Sequence, residues 1–225
     1  MKYIPALFLM SVLYTNCDGQ NKSELSVDAR IPNQKDRWKI KGYNLPNVHT
    51  ETTIDGVTIQ NSYPKGDRYP ASNGKGYGVA VFWTRVINES ALPLELKISF
   101  SSDTLANLSS PDQYEKVFLP PDTMTLEKMS LYGYGLSDLR SFLDTGLNKP
   151  TMVERTLNPN DECLFYVLVV GESIPVPASE ARGPRLRPQG ACRTALVQEG
   201  QNLFYRISIG AVTELIPCGQ ITVKK

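Results

Sequence analysis

The chain has 225 residues, with 24 Lys and Arg against 23 Asp and Glu, a net charge of +1 and 41% hydrophobic side chains. That length accommodates one large β domain or two small ones. Near-neutrality argues against a nucleic-acid partner, which calls for a basic excess, and against attachment to a membrane by charge alone.

The N-terminus comes first in chain order. Met1 and Lys2 precede a mostly apolar run from Tyr3 to Tyr14. A basic head before a short apolar run has the pattern of a secretory signal peptide. The run is too short to span a bilayer, which needs roughly 20 apolar residues. It ends in Leu13-Tyr14-Thr15-Asn16-Cys17.

This segment resembles a bacterial lipoprotein signal, in which a cysteine after the apolar run becomes the first mature residue. The match departs from the family at Tyr14 and Asn16, where Leu and a small residue are preferred, with Leu13 one place early. The resemblance covers about 20 residues and implies a diacylglycerol thioether on Cys17. It divides the chain into a signal peptide over 1–16, a polar tether over 17–36 and a β domain over 37–225. The expected location is the cell envelope, with the chain held to a bacterial membrane by its lipid. Each buried acyl CH₂ contributes about 0.8 kcal/mol, and two or more chains hold a protein stably. The alternative is plain secretion, with cleavage near Asn16 to Gly19.

The rest of the chain alternates apolar and polar residues between Gly, Pro, Asn and Asp clusters, the mark of half-buried strands. Trp38 to Tyr43 is an early strand. Thr50–Ile54 and Val57–Asn61 flank Asp55-Gly56, a hairpin signal because both turn positions want positive φ. Tyr77–Asn88 is apolar on both faces, with Arg85 near an exposed end. Leu94–Phe100 alternates strictly, and residues 88–91 join the two as a long hairpin. Val117–Leu119 and Thr123–Leu126 are short strands. Ser137 caps a helix over Asp138–Asp144, with Gly146 past its end. Met152–Leu157, Cys163–Val170, Arg193–Gln198, Leu203–Ile209, Val212–Ile216 and Gln220–Lys224 complete the strands. The pattern predicts an all-β fold, an antiparallel immunoglobulin-like sandwich with one short helix. Two small β domains meeting near 101–112 are the alternative.

Functional signals are sparse. With Cys17 lipidated, Cys163, Cys192 and Cys218 remain. Cys192–Cys218 is the favoured disulfide, with Cys163 a buried thiol. His49 is the lone histidine and reads as an exposed strand residue. No Cys-x-x-Cys pair, calcium loop or Gly-x-Ser-x-Gly elbow occurs, so neither cofactor nor metal is indicated. Carboxylates such as Glu51, Asp138, Asp161 and Glu162 sit in turns or on polar faces. A hydrolase built on two of them is a minor alternative. Tyr63, Tyr69, Tyr77, Tyr132 and Tyr134 fall in or beside loops, where a sugar could stack on them. Arg182, Arg185 and Arg187 lie in a long Pro-rich loop suited to an anionic partner. The expected function is a non-catalytic envelope module for binding or assembly, its partner an envelope protein or a glycan. The alternative is a secreted glycan-binding or glycan-processing accessory protein.

Overall fold

Period-two patterning builds most of the described chain into strands. The computed structural model describes residues 45, 47–70, 76–101, 105–110, 113–173, 192–209 and 212–224. Asn44–Lys225 cluster into one compact unit. Cys17, the tether, Trp38–Tyr43 and Arg182, Arg185 and Arg187 lie outside the described residues.

The strands are β1 (Val48–Ile54), β2 (Val57–Ser62), β3 (Lys65–Pro70), β4 (Gly76–Asn88), β5 (Leu94–Phe100) and β6 (Leu105–Ser110). They continue with β7 (Gln113–Phe118), β8 (Thr151–Leu157), β9 (Glu162–Ser173), β10 (Cys192–Glu199), β11 (Asn202–Ile209) and β12 (Val212–Val223). One sheet has seven strands in the order β1-β2-β4-β9-β7-β6, with β3 also paired to β4. The second has five, in the order β10-β11-β12-β5-β8. The fold is an all-β antiparallel sandwich. Its twelve described strands exceed the seven to nine of immunoglobulin domains.

A core of Val, Ile, Leu and Phe fills the space between the sheets. Leu94, Leu96, Ile98 and Phe100 of β5 meet Phe82, Val86, Phe165, Val167 and Val169 of the seven-stranded sheet. Each such side chain contributes about 1.5–3 kcal/mol on burial. The seven-stranded sheet is apolar on its other face too. There Tyr77, Val79, Val81, Trp83, Tyr166 and Leu168 are covered by Met124, Met129, Tyr134, Leu139 and Leu143 from the segment between β7 and β8. This cap explains why β4 and β9 read as apolar on both sides.

Several expectations change on inspection of the topology. β4 and β5 are not a hairpin: β4 pairs with β2, β3 and β9, while β5 pairs with β12 and β8. The chain passes from the seven-stranded to the five-stranded sheet at 89–93, and in the reverse direction between β8 and β9 at 158–161. The two corners clasp each other, Asn88 N–H donating to Asp161 O at 3.0 Å and Asn160 N–H to Asn88 O at 2.7 Å. The Asn88 side chain completes the joint by donating to Leu92 O and Leu157 O at 2.8 and 2.9 Å. Residues 123–125 form no strand, and 126–130 form a 3-10 turn. The segments 212–216 and 220–224 are one strand interrupted by a bulge at Pro217–Gly219. Only glycine fits there, since a Cβ on Gly219 would lie 1.9 Å from Lys97 O on β5. The Asp55-Gly56 hairpin forms as read, with φ of 51° and 76°.

The helix, α1 (Leu139–Thr145), starts one residue late, after Asp138 in a left-handed conformation (φ 52°). Ser137 is not its cap. Its N–H and hydroxyl donate instead to Asp122 Oδ2 at 2.9 and 3.0 Å.

The cysteines also correct the reading. Cys192 pairs with Ile209 at one end of β11, whereas Cys218 lies against Leu203 at the other. Six residues of strand separate those positions, roughly 20 Å, against a disulfide limit of about 7 Å between Cα atoms. Cys218 is a free buried thiol donating to Leu203 O at 3.4 Å, and Cys163 is likewise free and buried. Burial pushes Cys163 up to about 11, with Glu162 adding to the shift, and pushes Cys218 up to about 12. Both thiols therefore stay protonated at pH 8 and resist alkylation. Iodoacetamide labelling with peptide mapping should modify them at least tenfold more slowly in buffer than in denaturant. Equal rates would show that the core opens.

Candidate functional site

The tyrosine cluster does not survive as a binding edge. Tyr134 is fully buried, donating its hydroxyl to Tyr63 O at 2.6 Å and accepting from Tyr166 OH on its own carbonyl at 2.7 Å. Its ring packs edge-on to Trp83 and carries the Lys65 ammonium 4.1 Å from its centroid. Lys65 also donates to Met129 O and Leu131 O at 3.2 and 2.7 Å, pinning the loop to β3. Tyr77 is buried in β4 and Tyr69 is half-buried in β3, both packed under the cap. Tyr132 and Tyr63 stay in solvent, 75% and 52% exposed. Tyr63 stacks on His49 with ring centroids 4.7 Å apart.

His49 leads to a different place. β1 is the outermost strand of the seven-stranded sheet, and it folds against the edge strand of the other sheet, β10. Asn61 of β2 makes the joint. Its Oδ1 accepts from Leu196 N–H at 2.9 Å and from Thr84 Oγ1 at 3.0 Å. Its Nδ2 donates to Leu196 O at 3.2 Å and to Thr50 Oγ1 at 3.1 Å. The side-chain amide thus takes the place a neighbouring strand would have on β10 and seals that edge.

In front of this joint lies a cleft of about 590 Å³ lined by His49, Thr50, Arg193, Thr194, Ala195, Arg206, Ser208 and Thr213. Leu196 of β10 and Tyr205 and Ile207 of β11 point into the core. Arg193 and Arg206 therefore project from the opposite face. Arg193 pairs with Ser208 and Ala195 with Arg206, which places the two arginines diagonally on adjacent strands, within reach of each other's long side chains. Both are exposed, and among the described residues neither makes an ion pair. Burial, then Arg193, then Arg206 hold His49 below its ordinary pKa of 6.5, so it is neutral at pH 7. The exposed solitary histidine expected from the sequence is in fact half-buried beside two guanidinium groups. Strand parity could have placed each arginine outward, but only the packing of β1 on β10 brings His49 to them.

A larger cleft, about 740 Å³, runs between α1 and β8 over Leu119, Phe165 and Cys163. Asp122 on its wall is opposed by burial, but bonds from Ser137 and Lys128 hold its carboxyl below the usual range. A general acid needs the opposite shift. Among the described residues, no three His, Cys, Asp or Glu side chains converge as a metal cage would require.

No family model matches this chain, and no curated protein or solved structure matches it.

Proposed function

We propose that this protein is an exported, lipid-anchored binding module of the bacterial cell envelope. The observation that carries the reading is the order along the chain. A basic head and apolar run end at Cys17, a polar segment follows, and a β-sandwich begins at β1. A sandwich on a polar tether can present its surface away from the membrane to a partner in the envelope. The polar cleft beside β1 supports a binding role, because its lining carries two guanidinium groups and several hydroxyls.

The test is intact mass and detergent partition of the native protein beside a Cys17→Ala variant. The expected result is a diacylglycerol-sized mass and detergent partition for the wild type, both lost in the variant. An unmodified, soluble wild type would overturn the anchor and favour the second reading, a secreted glycan-binding protein. The exposure of Tyr63 and Tyr132 favours that reading.

A further inference from the structure

We infer that the cleft between β1 and β10 is a binding site for an oxyanion carried on a sugar-sized ligand. The inference deepens the reading of the protein as a binding module but does not depend on the anchor.

Hydrogen-bond accounting carries it. Thr50 Oγ1 accepts from Asn61 Nδ2, so its own O–H remains to be donated. Ser208 and Thr213 bond to each other at 2.9 Å. Whichever of the two donates, the other keeps a free O–H. Two hydroxyl protons, and two guanidinium groups with no ion pair among the described residues, thus line one cleft. Among the described residues, no carboxylate lines it to accept from them.

A lining this rich in donors and positive charge has an unmet need for negatively charged acceptors. Arg193 and Arg206 stand close enough to His49 to depress its pKa, so positive charge is already concentrated there without a counterion among the described residues. A carboxylate, sulfate or phosphate meets both needs, and guanidinium groups bind such planar or tetrahedral oxyanions with charge-assisted bonds. The volume, about 590 Å³, is in the range of small-molecule pockets and exceeds what a bare ion fills. Hydroxyl-bearing walls and the exposed Tyr63 ring against His49 suit a hydroxyl-rich body behind the anion. An acidic sugar has that chemistry, its charge on a carboxylate or on a phosphoryl group.

The test is calorimetric titration of the full chain in detergent with glucuronate, glucose 6-phosphate, inorganic phosphate and glucose. Alongside it run Arg193→Ala and Arg206→Ala, whose side chains are exposed and which leave the core intact. The inference expects saturable binding of at least one acidic sugar, little binding of glucose, and a loss of about tenfold or more per arginine. Preference for glucuronate assigns a carboxylate ligand, and preference for glucose 6-phosphate a phosphoryl one. Circular dichroism of the variants separates lost binding from lost fold. Absence of saturable binding by any acidic sugar, or affinity unchanged in both correctly folded variants, overturns the site. Neither result bears on the lipid at Cys17.

Discussion

Asn61→Ala should destabilise the protein by about 3 kcal/mol, because it orphans both the N–H and the C=O of buried Leu196. For a chain of this size that corresponds to a fall in Tm of roughly 6–12 °C. The amide makes four bonds at 2.9–3.2 Å and is 4% exposed, so water cannot substitute for it without opening the joint. Asn61→Asp is the sharper control. It keeps the acceptors but faces the Leu196 carbonyl with negative charge, and it should cost as much as alanine. Urea unfolding of both variants checks this. A loss under 1 kcal/mol in each would mean that the two sheets do not depend on this clamp. Opening it also exposes the edge of β10, so the alanine variant should associate at high concentration, as gel filtration would show.

Glu162→Ala should cost about 3 kcal/mol by stranding Arg85. That guanidinium is 2% exposed, while Glu162 is 23% exposed. Arg85 Nε donates to Glu162 Oε2 at 2.8 Å, Nη2 bonds the same oxygen, and Nη1 donates to Gln60 Oε1 at 3.1 Å. Removing one partner of a buried pair leaves an uncompensated charge, which typically costs 3–5 kcal/mol. Partial exposure of Glu162 puts the expectation at the lower end. The pair itself is worth much less, so Arg85→Met combined with Glu162→Leu should lie within about 1.5 kcal/mol of the wild type. If the double variant is as unstable as Glu162→Ala, the cost lies in packing and not in the stranded charge.

Strand identity was legible wherever one face is buried. β5 alternates from Leu94 to Phe100 in burial as it does in sequence, and Asp55-Gly56 announced its turn through backbone chemistry alone. Sheet membership was not legible. A run of turn residues such as 88–92 looks the same whether it reverses a strand within a sheet or carries it to the other sheet. The side-chain bonds of Asn88 that settle the matter reach Leu157, distant in sequence. Arg85 looked like the exposed end of a strand because its partner, Glu162, comes from β9. Tyr134 was misplaced for a related reason. A Gly-rich surrounding marks irregular backbone, not exposure, and Trp83 and Tyr166 create its pocket from other elements. The cleft could not be found locally either, since His49 and the two arginines reach it from strands more than a hundred residues apart.

The pairing of β4 with β9 also bears on how quickly the molecule can form. Ile87 meets Glu162 and Gly76 meets Ser173 in that central ladder, so even its nearest pair closes a loop of about a third of the chain. Contacts at such separation must overcome loop-closure entropy before they stabilise anything, which places sandwiches in the millisecond-to-second range of folding. During synthesis β4 can pair with β2 and β3 as soon as it emerges, but its other edge stays open until β9 follows. The ladder register thus builds a delay into the completion of that edge.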